Sequence, residues 1–156
     1  MNVEHVMNRD VESCTPESNL AEAAMVMWRR DCGFVPVVEN PGGRLVGVIT
    51  DRDICMATAT KHAGPDSLRV GTVMNRHAVT CTPSDDVRTA MNRMSEKQMR
   101  RLPVVDREGR LTGVLSLNDL ALAAERTSNL DKGSVGYADI AEVLREISAH
   151  RVPVQR

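Results

Sequence analysis

The chain contains one sequence unit written twice, and this internal repeat constrains the fold more than any other feature. The second copy follows the first by 67 residues up to the middle of the unit and by 66 residues afterwards, so one extra residue lies in the turn Pro41-Gly42-Gly43. The matched segments are Val6-Met7-Asn8-Arg9 with Val73-Met74-Asn75-Arg76, Val35-Pro36-Val37-Val38 with Leu102-Pro103-Val104-Val105, and Gly47 with Gly113. The sequence therefore predicts two similar modules that pack on each other.

Within each unit the sequence predicts the element order βαββα. After a short strand that ends before Pro16, apolar residues recur from Leu20 at the spacing i, i+3, i+4, i+7, which predicts an amphipathic helix. Ser18 is the predicted N-cap of this helix, and Asp85 is the predicted N-cap of its copy. Two β-type runs around a glycine-containing turn then predict a hairpin. The predicted bounds are strands 11–15, 34–38 and 45–49 and closing helix 53–59 in the first unit, and strands 102–105 and 111–115 and closing helix 119–126 in the second.

These elements divide the chain into four segments. The first repeat is expected over residues 1–60, a linker over 61–69, the second repeat over 70–126, and a loop with a C-terminal helix over 127–156; the two repeats form one module. The last helix is expected from Tyr137 to His150, with Ile140, Leu144 and Ile147 on its apolar face. It is expected to pack on its own module, and contact with a second copy or a partner is the alternative.

Composition argues against several classes of function. The 20 basic and 21 acidic residues give a net charge of −1, so no overall field attracts nucleic acid or an anionic membrane, although a local basic patch stays compatible with this balance. Aromatic residues are only 2% of the chain, too few for base-stacking platforms. No apolar stretch approaches the roughly 18 residues that span a bilayer. The expected location is therefore the cytoplasm.

Neither the cysteines nor the histidines form a recognisable reactive site. The four cysteines contain no CxxC spacing, which argues against a zinc site and against a disulfide framework. The four histidines do not combine with a nucleophile and a carboxylate into a catalytic constellation. We therefore predict no metal and no enzymatic activity.

The most informative polar residues stand where each hairpin meets its closing helix. Thr50 is followed three residues later by Asp53, and Ser116 is followed at the same distance by Asp119. The free amides of a helix N-terminus attract anions there, so each hydroxyl suits a phosphate oxygen. Each carboxylate can only accept hydrogen bonds and suits the hydroxyls of a ribose. The alternative is that these residues merely cap the helices and close the strand ends.

Arg100 and Arg101, at the start of the second hairpin, are the candidate cations for a phosphate. Side chains alternate along a strand, so the two arginines are not expected to serve one phosphate. We assign Arg101 to the cleft of the first repeat and Arg100 to the cleft of the second, but the alternation itself does not determine which arginine faces which cleft. A solvated surface patch is the alternative for this pair. The matching positions in the first repeat hold Gly33 and Phe34, and the two clefts are therefore expected to differ. The secondary candidates for ligand contact are Arg52, Gly33, Phe34 and Asn118.

These repeated motifs resemble a tandem pair of CBS domains, the module named after cystathionine β-synthase. The resemblance covers most of the chain from Val3 to Arg126 and rests on the V-M-N-R segments, the V/L-P-V-V strands, the glycine-led second strands and the T/S-x-x-D endings. It implies a fold of the α/β class, α+β in type, in which two βαββα repeats pack about a pseudo-two-fold axis and leave two clefts. It also implies that the pair forms a homodimer.

By the same resemblance the chain is a regulatory module that binds an adenosyl ligand and signals to a partner protein by a conformational change. AMP, ADP and ATP are the implied ligands, with S-adenosylmethionine and NAD as further candidates, and no cofactor is required. The regulated partner is unidentified, and neither nucleic acid nor a membrane is expected as a partner. The alternative function is a structural scaffold whose clefts are unused.

Overall fold

The computed structural model describes residues 1–40, 43–126 and 135–149 of the chain. In this part of the chain, two antiparallel hairpins are each accompanied by two helices, and a fifth helix follows. The strands are β1 (Phe34–Val38), β2 (Leu45–Thr50), β3 (Arg101–Val105) and β4 (Leu111–Ser116); the α-helices are α1 (Leu20–Arg29), α2 (Asp51–Lys61), α3 (Val87–Lys97), α4 (Leu117–Arg126) and α5 (Tyr137–Ser148). Single 3-10 turns, Val3–His5 and Val70–Thr72, precede the two units. The predicted α+β fold of two repeats is confirmed.

The two hairpins have the same register, as the sequence repeat predicts. Phe34 lies opposite Thr50 in the first hairpin, and Arg101 lies opposite Ser116 in the second. The second strands extend one residue further than predicted, through the hydroxyl residues that begin the closing helices. The extra residue predicted in the first turn falls at 41–43, and residues 41 and 42 lie outside the described part of the chain.

The strand predicted at the start of each unit is reduced to a single bridge. Cys14 forms a parallel bridge with Val37, and Cys81 forms the matching bridge with Val104. Only two backbone hydrogen bonds hold Cys14 there, one to the carbonyl oxygen of Pro36 and one from the N–H of Val38. The prediction of a strand over residues 11–15 is therefore wrong, because the segment touches the hairpin at one point only.

The helix N-caps lie one residue beyond the predicted ones. Asn19 caps α1 in a capping box with Glu22, and Asp86 caps α3. Ser18 and Asp85 instead accept a hydrogen bond from the backbone N–H of the threonine three residues earlier. The predicted caps thus close the preceding turn, a competing use of short polar side chains.

The N-terminal segment of each repeat pairs with the hairpin of the other repeat. Asn8 exchanges two backbone hydrogen bonds of 2.9 Å with Val114, and Asn75 exchanges two of 2.9 and 3.0 Å with Val48. Each repeat therefore contributes its N-terminal segment to the hairpin of the other repeat, and backbone hydrogen bonds as well as surface contacts join the two.

Two glycines allow this exchange. A Cβ atom at Gly113 would lie 2.7 Å from the carbonyl oxygen of Asn8, and one at Gly47 would lie 2.7 Å from that of Asn75. A side chain at either position would push the paired segment away. The glycine found at the same place in both copies is explained by this close approach.

The chain has two apolar cores, one around each hairpin, and each includes residues of the N-terminal segment that pairs with that hairpin. Val3, from the start of the chain, is fully buried in the core around the second hairpin, and Val70 is fully buried in the core around the first. Each core is aliphatic and methionine-rich, as the scarcity of aromatic residues requires. The predicted ranges 1–60 and 70–126 describe the two sequence repeats, and as domain boundaries they stay predictions. Each apolar core contains residues from both ranges.

The C-terminal helix α5 packs on α3 and α4, which confirms its expected position on its own module. Val143 is buried, while Ile140 and Ile147 are partly buried against the same core. The prediction that Leu144 belongs to the apolar face is wrong, since 43% of its surface is exposed. The helix ends before the predicted His150, which lies outside the described residues.

Candidate ligand-binding site

Both predicted hydroxyl and carboxylate pairs form a closed set of hydrogen bonds at a helix N-terminus. The hydroxyl and the backbone N–H of Thr50 donate to Oδ2 of Asp53 at 2.7 and 2.9 Å, and the N–H of Asp53 donates back to Oγ1 of Thr50 at 3.2 Å. Ser116 and Asp119 make the same three bonds at 2.6, 2.8 and 3.1 Å. In each pair the hydroxyl proton and one carboxylate oxygen are thus already used.

This arrangement leaves the other carboxylate oxygen available. Within the described residues, nothing donates a hydrogen bond to Oδ1 of Asp53 or of Asp119. Such an oxygen can accept from the hydroxyls of a ribose without disturbing the helix cap. By contrast, the hydroxyl of Ser116 must rotate away from Asp119 before it can donate to a phosphate. Capping and ligand binding are therefore compatible for the aspartates but compete for the hydroxyls.

Ser116 and Asp119 line a cavity of about 280 Å³ between the two repeats. The exchange of Asn8 with Val114 brings the N-terminal segment opposite them, so that Asp10 and Glu12 form the facing wall. The apolar part of its lining consists of Val11, Val26, Phe34, Pro36 and Val114. The cavity thus combines an apolar slot with a polar end at the start of α4.

Three further predicted residues, Arg101, Asn118 and Phe34, also line this cavity. Arg101 is half-buried and lies opposite Ser116 in the hairpin, whereas Arg100 is exposed. The structure therefore places Arg101 with Ser116 and Asp119, whereas it was expected to face the cleft of the first repeat. The reason is the register, because the residue paired across the hairpin from Ser116 is Arg101.

The corresponding residues of the first repeat do not have the same surroundings. Thr50 and Asp53 are half-buried at the start of α2, and Arg52 is exposed. Gly33 lies beside Asp51 and lines a separate groove between α1 and α2. By the sequence offset, His77 and Val79 stand where the second-repeat cavity has Asp10 and Glu12. The two sites therefore differ in charge as well as in the arginine pair.

An ion-pair network holds the acidic wall of the cavity. Arg30 donates to both oxygens of Asp10 at 2.7 and 2.9 Å and to Glu12 at 2.8 Å, and Arg29 pairs with Glu12 at 2.7 Å. The hydrogen bond from Arg30 keeps the pKa of Asp10 below its usual value, and the one from Arg29 does the same for Glu12. Both carboxylates are thus ionised at neutral pH. Sequence reasoning missed this network because its partners lie on segments 17 or more residues apart.

Three charged side chains of the cavity lack a partner of opposite charge in the described residues. Arg30 is neutralised by its two acidic partners, whereas no acidic partner of Arg101 is found within the described ranges. Asp31 and Asp119 also line the cavity with at least one free carboxylate oxygen each. One guanidinium and two carboxylates are therefore left to determine which ligand charge is accepted.

The thiols lie apart from any metal-binding arrangement in the described residues. Cys14 and Cys81 are buried, and burial raises their pKa to about 11 and about 12, while Cys55 is exposed. All four are free thiols. As for membranes, none of the helices in the described ranges has the length and apolar character needed to cross a bilayer.

Comparison with known proteins agrees with the fold and the repeat. The profile of the CBS domain matches residues 3–59 and 70–126. The CBS domain-containing protein YhcV of Bacillus subtilis is 36% identical over 132 residues, which cover 85% of this chain and 90% of that protein.

Two solved structures share the architecture. The CBS domain pair of protein MJ0100, in complex with 5′-methylthioadenosine and S-adenosyl-L-methionine, is 24% identical with a TM-score of 0.70, covering 78% of this chain and 94% of that one. The protein CBSX2, in complex with AMP, is 24% identical with a TM-score of 0.70, covering 82% and 98%. With the family profile matched twice over most of its length, the chain belongs to the CBS domain family, as a tandem pair of CBS domains.

Proposed function

We propose that the chain is a regulatory module that binds an adenosyl ligand in the cavity of Ser116 and Asp119 and signals its presence to a partner protein. The observation that carries this proposal is the combination, in one cavity, of an apolar slot, a free carboxylate oxygen on Asp119 and the guanidinium of Arg101 without an acidic partner in the described residues. The adenosyl compounds bound by MJ0100 and CBSX2 support the choice of ligand class.

The three parts of an adenosyl ligand match three parts of the cavity. The base lies in the apolar slot between Val11 and Pro36, where backbone groups read its edges. The ribose hydroxyls donate to Oδ1 of Asp119, the oxygen that the helix cap leaves free. A phosphate meets Arg101 and the free amides at the start of α4. Ser116 contributes to phosphate binding only after its hydroxyl leaves Asp119.

Charge and size favour a small ligand that carries little negative charge. The carboxylates of Asp31 and Asp119 have no cationic partner in the described residues and disfavour additional phosphates, whereas Arg29 and Arg30 neutralise Asp10 and Glu12. Arg101 is the one cation of the cavity without an acidic partner in the described residues. The volume of about 280 Å³ lies just below the usual range of ligand pockets, roughly 300 to 1,000 Å³. We therefore favour AMP or S-adenosylmethionine over ADP, ATP and NAD.

The second site, at Thr50 and Asp53, is proposed to bind more weakly or to accept a different ligand. It has the free carboxylate oxygen of Asp53 but lacks the acidic wall, and its arginine positions hold Gly33 and Phe34. The homodimer, the cytoplasmic location and the absence of catalysis stay predictions from the sequence.

Calorimetric titration with AMP, S-adenosylmethionine and ATP tests the ligand class. In a denaturation experiment with ligand at about 100 times its dissociation constant, a true ligand raises the free energy of unfolding by roughly 2.7 kcal/mol. We expect this increase with AMP or S-adenosylmethionine, and a much weaker response to ATP. If no adenosyl compound binds, the scaffold function takes the place of the sensor, and turnover of a nucleotide would instead indicate an enzyme.

Matched variants test the residues. Asp119→Asn keeps an oxygen for the helix cap but removes the free acceptor, so ligand affinity should fall by about 10- to 150-fold, the equivalent of about 1.5–3 kcal/mol for a charged hydrogen bond. Asp53→Asn makes the same change in the first repeat and should leave the tighter site unaltered. Arg101→Gln should weaken AMP but not methylthioadenosine, which has no phosphate.

A further inference from the structure

A groove between α1 and α2 is the open counterpart of the seat that α5 occupies between α3 and α4. Under α5, the side chains of Met91 and Leu120 are 4% and 0% exposed and share a core with Val143. The matching residues of the first repeat, Ala24 and Ile54, are partly exposed and line a groove of about 550 Å³. The first repeat thus presents a helix-binding seat that no helix fills in the described part of the chain.

The rim of this groove is apolar and exposed. Trp28 and Cys55 line the groove and are exposed, Trp28 to 82%. At the position that matches Trp28, the second repeat has Ser95. Tryptophan is enriched in protein interfaces and often dominates their binding energy. The first repeat is therefore more apolar than its covered counterpart where a partner would contact it.

The ends of the groove define the charge of its occupant. In the second repeat, Arg88 pairs with Asp139 near the start of α5, and the side-chain amide of Gln98 donates to two of its last carbonyl oxygens at 3.0 and 3.3 Å. Ala21 and Asp31 stand at the matching positions of the first repeat. A helix seated there would bring its negative C-terminal end to a carboxylate, which is unfavourable unless its last turn carries a basic residue.

We propose that the groove binds an amphipathic helix of a partner protein, oriented as α5 is and carrying lysine or arginine in its last turn. Asp31 at the end of α1 and Asp51 at the start of α2 both line the groove and complement that charge. A second copy of the chain is a poorer match, because two such grooves face to face bring these aspartates of both copies together. The α5 helix of a second copy is already seated on its own repeat.

The groove and the ligand cavity share part of their lining, namely Asp31, Cys32 and Arg101. A ligand phosphate that draws the guanidinium of Arg101 into the cavity removes positive charge from beside Asp31 and Asp51 in the groove. The groove then becomes more negative and binds a basic helix more tightly. This coupling rests on the proposed function, whereas docking of the helix does not. By reciprocity the docked helix raises ligand affinity by the same factor.

Trp28, the only tryptophan of the chain, reports occupancy of the groove directly. The probe is a stapled peptide with the sequence of α5 and Glu146→Lys, compared with the same peptide retaining Glu146. Without any adenosyl ligand, the lysine peptide should shift Trp28 emission to shorter wavelength and bind about fivefold more tightly, as expected for one exposed ion pair. Asp31→Asn in the full chain should remove that difference. Docking is overturned if neither peptide shifts the emission.

Matched variants locate the site. Cys55→Glu, in the lining of the groove, should abolish the emission shift, whereas Leu122→Glu, at an exposed position of α4, should leave it unchanged. Equal loss in both variants contradicts the groove. If Trp28 emission instead shifts with protein concentration alone and Cys55→Glu converts a dimer to a monomer, the occupant is a second copy and the proposal is wrong.

Repeating the peptide titration with saturating AMP tests the coupling separately. Peptide affinity should rise, and AMP affinity should rise equally when the peptide is bound. AMP that binds but leaves peptide affinity unchanged overturns the coupling and leaves docking intact. Failure of AMP to bind at all contradicts the proposed function instead.

Discussion

Replacing Gly113 with alanine tests whether the exchanged N-terminal segment builds the ligand cavity. A Cβ atom at this position of β4 would lie 2.7 Å from the carbonyl oxygen of Asn8 and 3.1 Å from the sulfur of Met7. The nearer atom belongs to the backbone and cannot rotate away, so the segment must move. That segment carries Asp10 and Glu12, and the acidic wall of the cavity moves with it.

The expected cost in stability follows from the contacts that the movement breaks. Asn8 and Val114 exchange two backbone hydrogen bonds, each 2.9 Å long. Each is worth about 0.5–1.5 kcal/mol, so the free energy of unfolding should fall by about 1–3 kcal/mol. Domains of ordinary stability have roughly 5–15 kcal/mol to lose, and the variant should therefore still fold.

Gly47→Ala is the matched control, because a Cβ there would lie 2.7 Å from the carbonyl oxygen of Asn75. It breaks the equivalent pair of hydrogen bonds with Val48 but leaves the wall of Asp10 and Glu12 in place. Urea denaturation should show similar losses of stability for both variants. Calorimetry with AMP should show weaker binding for Gly113→Ala only. Unchanged AMP affinity in Gly113→Ala, despite a measured loss of stability, would refute the idea that the exchanged segment forms the site.

Two further predictions concern thiol reactivity and the seat of α5. A thiol reagent at pH 8 should modify Cys55 in the folded protein but not Cys14 or Cys81, because burial raises their pKa to about 11 and about 12 and little thiolate forms; rapid modification of all three would contradict their burial. The N–H of Gly136 and an arginine of α3 lower the pKa of Asp139 in the folded protein. The ionised carboxylate of Asp139 therefore stabilises the fold fully above its pKa in the unfolded chain, about 3.9. This stabilisation is lost as the pH falls through the lower pKa of the folded protein. Asp139→Asn should therefore destabilise the protein at pH 6 and have little effect near pH 2 in urea titrations, and an equal effect at both values would exclude this ionic contribution.

The local elements are predictable because their signals lie within a few residues of each other. The apolar spacing from Leu20 identifies α1, and the run from Phe34 to Val38 is a strand with the predicted bounds. Errors arise where one residue has two uses. Ser18 has the chemistry of an N-cap but closes a turn, because Asn19 is better placed to cap α1.

The site is less predictable because its parts come from distant segments. The T/S-x-x-D spacing correctly identifies the capped junctions, and the candidate Arg101 does line the cavity with Ser116 and Asp119. A repeat offset, however, cannot tell which hairpin an N-terminal segment joins. The exchange of that segment with β4 therefore lay beyond sequence reasoning, and with it the ion pair of Asp10 and Arg30.

Some of the differences between the two copies fall at two neighbouring places, which gives this asymmetry a consistent interpretation. The ligand cavity of the second repeat has Asp10 where the other copy has His77, and Arg101 where the other copy has Phe34. The helix seat of the first repeat has Trp28 where the other copy has Ser95. Arg101 lines both places. Because the better-equipped cavity adjoins the open helix seat, the proposed ligand binding in one repeat would act on the face that the other repeat is proposed to offer to a partner, and a difference between the two copies serves this coupling.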